Sequence, residues 1–251
     1  DEHLPSWTVI VTMAGEGSRF RQRGYDRPKH ELIARGRSLL DWSVGSLSSF
    51  IPFTRQWIFV TRNEHPRQPV IDLARRLELE QPTLLALDEL TDGQATTVMR
   101  GLELARHPET RVMIFNIDTH IDPLALDPLL VRGAGWLACF HAPGDHWSFA
   151  RVGEGGRVSE VREKDRISDW CSLGLYDFES RECFAQAYDE TYARHRGRSE
   201  RYIAPMYQSL IKQQKEVFAS LVESSAVVPL GTPEELLAFD PSATPVVSAS
   251  A

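Results

Sequence analysis

The 251-residue chain reads as an α/β protein in which a mixed, mostly parallel central sheet lies between two layers of helix. Three observations predict this. Short apolar runs alternate with amphipathic helical stretches through the first half of the chain, in the order βαβαβαβ. Beyond about residue 134 the pattern becomes richer in strands, so the sheet is expected to be mixed. The length suits one large domain with a sizeable core, and no linker divides it.

Taken in order, WTVIVTM (7–13) is apolar enough for a strand buried on both faces. SLLDWSVGSLSSF (38–50) sets Leu39, Leu40, Val44, Leu47 and Phe50 on one helical face. WIFVT (57–61) and TLLAL (83–87) are strands flanking a helix, VIDLARRLEL (70–79). QATTVMRGLELA (94–105) carries Ala95, Val98, Met99, Leu102 and Ala105 at helical spacing, and VMIFNID (112–118) is the next strand. GWLACF, FARVGEGGRVSEVRE and SLGLYDF follow as strands, the second a hairpin turning at Gly153–Gly156. A helix is expected over about 180–195, then a charged loop, RHRGRSER (194–201), then a helix beginning near Tyr202. VFASLV and AVVPL read as short strands. TPEELLAF (232–239) is a capped helix with Thr232 as N-cap, Pro233 at the first position and Glu235 three residues on. The domain is expected to span 1–242, with a flexible tail over 243–251.

The net charge of −7 and the absence of a long basic run point away from general nucleic-acid binding, though a locally basic pocket is compatible with them. No apolar run reaches the ~18 residues of a membrane span, and the acidic N-terminus lacks a signal-peptide pattern. Cys139, Cys171 and Cys183 are odd in number and widely spaced, which suggests neither a zinc site nor a disulfide framework. A reducing, cytoplasmic setting is therefore expected. A homo-oligomer is compatible with the sequence, but no heptad or exposed stripe specifies one.

Five segments could carry chemistry. The first strand runs into Gly15-Glu16-Gly17-Ser18-Arg19, where backbone N–H groups can approach an anion. Phe20 stands where a dinucleotide fingerprint needs its third glycine, and no G-K-[ST] follows, so the dinucleotide and P-loop readings both fail. A strand-end turn remains the alternative. TDGQATTV (91–98) opens a helix and is either a cap or a base-reading turn. FNIDTHID (115–122) ends a strand at Asp118, where parallel sheets bind ligands, and Asp122 suits helix capping. VREKD (161–165) places a Glu-Lys pair at a strand end, ordinarily a solvated pair. PLGTPEEL (229–236) opens the last helix. The eight histidines form no metal-ligand pair, and His120, His141 and His146 are read as structural or solvent-facing.

The motif MAGEGSRF followed by RPK resembles the G-x-G-[ST]-R…P-K signature of nucleotidyltransferases with a glycosyltransferase-A-like fold, the sugar-1-phosphate nucleotidylyltransferases and related cytidylyltransferases. The resemblance covers about residues 8–239 and implies a Rossmann-like three-layer sandwich of the nucleotide-diphospho-sugar transferase type. It also implies a nucleotide-binding half (about 8–134) and an acceptor-binding half (about 135–239). By resemblance, Ala14, Gly15, Gly17 and Ser18 wrap a triphosphate, with Arg19 on its β and γ phosphates and Lys29 across the α-phosphate. Gly93 and Gln94 match the base-reading segment, and Asp118 the magnesium aspartate. Glu163 and Lys164 match the pair that holds an acceptor sugar hydroxyl and its phosphate, with Ser172 and Gly174 beside them.

Two departures stand out. His30 follows Lys29 where the usual pattern has proline, and Pro229 and Leu230 precede Gly231 where many members have a second metal-binding aspartate. The implied reaction is Mg²⁺-dependent coupling of an NTP, CTP or UTP favoured, to a sugar-1-phosphate or related phosphate or phosphonate, with release of pyrophosphate. The alternatives are a glycosyltransferase of the same fold, disfavoured because Asp118 and Asp122 do not form a D-x-D pair, and a catalytically silent nucleotide-binding regulatory protein.

Overall fold

The computed structural model describes residues 4–193 and 199–245. The expected loop at 194–201 and the tail at 243–251 therefore lie partly outside the described residues. The chain opens with β1 (Trp7–Thr12), α1 (Ser18–Gln22), a small hairpin of β2 (Ile33–Ala34) and β3 (Arg37–Ser38), α2 (Leu39–Gly45) and β4 (Thr54–Arg62). It continues through α3 (Gln68–Arg76), β5 (Pro82–Leu87), α4 (Gln94–Leu102), β6 (Arg111–Phe115) and β7 (Thr119–Ile121). Then come β8 (Gly135–Phe140), β9 (Ser148–Val152), β10 (Val158–Glu163), β11 (Cys171–Phe178) and α5 (Arg181–Tyr192). The last elements are α6 (Met206–Lys212), β12 (Val217–Leu221), β13 (Val227–Pro229) and α7 (Pro233–Phe239).

Nine strands form one sheet among the described residues. β5, β4, β1 and β6 pair in parallel, as expected from the βα alternation. β11 then runs antiparallel between β6 and β8, β12 pairs with β8 in parallel, and the β9–β10 hairpin joins β11 at Cys171. Alternation along the strands divides the core in two. Trp7, Val9 and Val11 face a cluster with Trp57, Phe59, Met113 and Phe115, covered by Leu40 and Val44 of α2 and by Val70 and Leu73 of α3. Ile10, Ile58, Val60, Val112 and Ile114 face the opposite cluster, covered by Val98 of α4, Phe184 of α5 and Tyr207 of α6. These are the three layers that the hydrophobic pattern predicts.

Buried Asp177 ties the layers together. Its carboxylate accepts from the Trp7 indole at 2.8 Å and the Arg111 Nε at 3.0 Å, and its backbone N–H donates to the Tyr207 hydroxyl at 3.0 Å. All three cysteines are free and buried. No helix among the described residues is long and apolar enough to cross a membrane.

Several boundaries differ from the expectation, each for a local reason. The helix expected over 38–50 ends at Gly45, and the chain continues as a 3₁₀ stretch, Ser48–Phe53, with Pro52 inside it. The helix expected near Tyr202 begins at Met206, after Pro205. The strand through Asp118 stops at Phe115, because the following residues turn into β7, which pairs with β13. That pairing, together with α1 and the small hairpin, is not apparent in the hydrophobic pattern. The Thr232 capping box forms as expected, with the Thr232 hydroxyl accepting from the Glu235 N–H and the Glu235 carboxylate accepting from the Thr232 N–H. Asp122 caps the turn that follows it, accepting from the Leu124 N–H at 3.0 Å.

Candidate functional site

β1, β4 and β6 end together at one edge of the sheet, where open parallel sheets expose backbone groups and loops to ligand. From β1 the chain passes through buried Ala14 and exposed Gly15 to Gly17, which precedes α1, with Ser18 its first helical residue. Phe20 of α1 anchors this loop in a small apolar cluster with Tyr25, Leu32, Leu39, Leu230 and Leu236. The cluster joins the glycine loop to the segment that opens α7. Arg19, the next residue toward solvent, is exposed and has no hydrogen-bond or ion-pair partner among the described residues.

Lys29 starts a 3₁₀ turn, and its ammonium lies 5.6 Å from the Phe20 ring centroid. It forms an ion pair with Asp118, 89 residues away in sequence. Asp118 is held from two sides. Its N–H donates to Asn116 Oδ1 at 3.1 Å, and its carbonyl accepts from the Leu230 N–H at 2.6 Å. The Asp118 side chain is 45% exposed, so its carboxylate can meet both solvent and ligand. Gly231 packs against it: a Cβ there would lie 3.7 Å from the Asp118 Cβ.

A magnesium ion uses one or two protein carboxylates and completes its shell with phosphate oxygens and water. Asp118, half-exposed at the strand edge, fits such a substrate-completed site. The Glu235 Oε2 is taken up by the capping box, accepting from the Gly231 N–H at 2.7 Å and the Thr232 N–H at 3.2 Å. Leu230, just before Gly231, is fully buried in the small apolar cluster and offers no carboxylate there.

The segment before α4 meets the same edge. The Gln94 amide donates to the Thr12 hydroxyl at 3.0 Å, at the end of β1. Gly93 has φ of 151°, outside the range that side-chain-bearing residues favour. An added Cβ would also stand 2.5 Å from the backbone N and O of Arg201. Arg201 takes that space, donating its N–H to the Asp92 carbonyl at 2.8 Å and accepting from the Ala95 N–H at 3.0 Å.

Farther along the chain, Glu163 ends β10 and accepts from the Ser148 hydroxyl. Burial pushes the Glu163 carboxyl above the usual carboxylate range. Lys164 follows in the left-handed region, at φ of 55°, with its N–H on the Trp147 carbonyl at 2.9 Å. Its ammonium donates to the Tyr202 hydroxyl at 2.9 Å. Ser172 donates to the Tyr176 hydroxyl at 3.0 Å, and burial pushes the Tyr176 phenol up to about 12. Gly174, at φ of 80°, lies so close to Asn116 that a Cβ would be 2.6 Å from the Asn116 amide nitrogen. Gly174 and Asp118 thus share Asn116 as a neighbour. A cavity of about 670 Å³ between β10 and helices α5 and α6 meets these residues only at Glu163.

The structure therefore brings Lys29 to Asp118, Gln94 to the end of β1, and Gly174 to the Asn116 corner. Arg19 is left without a contact to any of them. Residues that sequence reasoning missed as site candidates are Thr12, Asn116, Ser148 and Tyr176. Asn116, two residues before Asp118 in FNID, is the one with a visible signal, a polar side chain breaking an apolar strand. His30 is buried beside Lys29, with its ring 5.2 Å from that of His65. His120 bonds the Trp42 carbonyl at 2.8 Å, in keeping with a structural role.

No family model matches the chain, and no curated protein matches it. Solved structures do. A nucleoside-diphosphate-sugar pyrophosphorylase from Vibrio cholerae is 35% identical, with a TM-score of 0.84, over 92% of this chain and 99% of that one. Two more distant structures share the fold. The inositol-1-phosphate CTP transferase of T. maritima is 14% identical, with a TM-score of 0.73, over 94% of this chain and 93% of its own. A protein described as a glucose-1-phosphate thymidylyltransferase from Bacillus anthracis, solved with sucrose, is 15% identical, with a TM-score of 0.71, over 98% of both chains. At 35% identity along nearly the whole length of the Vibrio cholerae protein, the chain belongs to the sugar-phosphate nucleotidyltransferases.

Proposed function

We propose that this nucleotidyltransferase couples CTP or UTP to a sugar-1-phosphate or a related phosphate or phosphonate and releases pyrophosphate. The observation that carries the reading is the Lys29–Asp118 pair, a cation and a carboxylate from distant segments held together at the ligand-binding edge of the sheet. An acceptor oxyanion attacks the α-phosphorus, and the bond to the leaving pyrophosphate breaks in line. The nucleophile is already charged at neutral pH, so no side chain need remove a proton. The protein's work is positioning and charge neutralisation.

Lys29 sits across the α-phosphate, where negative charge accumulates, and Arg19 lies on the β and γ phosphates. The exposed, unpaired state of Arg19 suits a guanidinium that waits for a phosphate pair. Asp118 would hold Mg²⁺, which when bound supplies charge neutralisation along the phosphates. Ala14, Gly15, Gly17 and Ser18 line the triphosphate. Gly93 and Gln94 read the base, with Thr12 fixing one Gln94 amide hydrogen. Glu163, Lys164, Ser172 and Gly174 form the acceptor side, and Gly174's closeness to Asn116 supports placing that side next to Asp118. In this reading residues 8–134 serve the nucleotide and 135–239 the acceptor.

The test is a pyrophosphate-release screen of CTP, UTP, dTTP, ATP and GTP, with and without Mg²⁺, against phosphorylated acceptors including phosphonates. Mg²⁺-dependent release with CTP or UTP and a sugar phosphate is expected. Nucleotide binding with no release from any pair would count against the enzyme reading.

A further inference from the structure

Lys164 and the base-reading segment are tied to adjacent residues of one short stretch. Arg201 bonds to both Asp92 and Ala95 through its backbone. Its guanidinium also pairs with Asp92 at 3.0 Å and donates to the Tyr188 hydroxyl at 2.6 Å. The Tyr188 hydroxyl in turn lies 2.8 Å from the Thr96 hydroxyl in α4. The next residue, Tyr202, offers its carbonyl to the Tyr192 hydroxyl and its own hydroxyl to Lys164.

The Lys164–Tyr202 contact has a fixed polarity. An ammonium has only donors, so the Tyr202 oxygen accepts and its own hydrogen remains available to an anion. Burial raises the Tyr202 phenol above its ordinary value and the Lys164 ammonium works against it, so the hydroxyl keeps its hydrogen at neutral pH. The ammonium also lies 5.0 Å from the Tyr202 ring centroid, so ring and hydroxyl together aim the Lys164 head. A lysine and a tyrosine hydroxyl side by side make a donor pair suited to a phosphate monoester.

We propose that Tyr202 is a further acceptor-positioning residue: its hydroxyl donates to the acceptor's phosphate beside Lys164. Arg201 holds this donor pair in register with the loop at Gly93, so the acceptor phosphate and the nucleotide are placed from one stretch of backbone. The inference rests on the acceptor role proposed for Lys164.

Tyr202→Phe removes the hydroxyl alone, leaving the ring beside Lys164 and the carbonyl that serves Tyr192. Calorimetric titration with glucose-1-phosphate, and with inorganic phosphate as the smallest probe, is run on the wild type, Tyr202→Phe and Lys164→Ala, with CTP and UTP titrated in parallel. A hydrogen bond to a charged group predicts a loss of roughly ten-fold in phosphate-ester affinity for Tyr202→Phe, with nucleotide affinity unchanged. In turnover the same variant raises the acceptor KM and leaves the NTP KM in place, a split that a merely structural tyrosine would not produce. If Lys164→Ala weakens the probes and Tyr202→Phe does not, the Tyr202 inference is overturned while the acceptor site stands. If neither variant changes probe binding, or neither probe binds the wild type, the acceptor reading of Lys164 falls and this inference with it.

Discussion

His30 lies next to Lys29, and its burial makes the Lys29 turn sensitive to acid. The residue is 1% exposed, and its Nε2 has no hydrogen-bond partner among the described residues. Burial, and then the neighbouring His65, lower its pKa from 6.5 to about 4. The native state therefore binds this proton less readily than the unfolded chain. The stability that depends on neutral His30 is complete above the unfolded pKa of about 6.5 and is lost as pH falls toward about 4. At about 1.4 kcal/mol per pH unit, the whole gap amounts to about 3 kcal/mol, of which about 2 kcal/mol is gone by about pH 5. His30→Leu keeps an apolar side chain of similar bulk and removes the titration. Urea unfolding at about pH 7.5 and about pH 5 should show the wild type losing about 2 kcal/mol more than the variant. Equal losses in the two proteins would show that buried His30 does not set this acid sensitivity.

Two further outcomes follow from the same geometry. Gly93→Ala forces a Cβ into the Arg201 backbone at a φ that alanine resists, so it should raise the NTP KM at least about ten-fold and destabilise by on the order of 2 kcal/mol. Steady-state kinetics and thermal unfolding of the variant check both. Thr232→Ala breaks one half of the capping box and should cost about 1 kcal/mol in denaturant unfolding, with no change in NTP KM.

The sheet core was legible in the sequence because strands buried on both faces are written as mostly apolar runs, as in WTVIVTM and VMIF. The α7 cap was legible because Thr232, Pro233 and Glu235 act through neighbours in sequence. The end of α2 was not, because Leu47 and Phe50 keep the helical spacing after the backbone has already tightened into a 3₁₀ stretch. In the candidate site, Asp118 was visible as a carboxylate ending an apolar strand. Its pairing with Lys29, the Gln94–Thr12 bond and the packing of Gly174 on Asn116 depend on long-range closure, which no local pattern records. His30 carried no signal beyond its departure from proline. Only the fold shows that it faces His65 with an unpartnered nitrogen.

In the proposed reaction, Lys29 and Asp118 act on one triphosphate. The most direct measurement is pyrophosphate release by Lys29→Ala and Asp118→Ala, using the NTP and acceptor that the wild type turns over fastest, with circular dichroism to establish that each variant is folded. Each should lose on the order of a hundred-fold or more in turnover while the fold persists. Wild-type turnover in either folded variant would contradict the account.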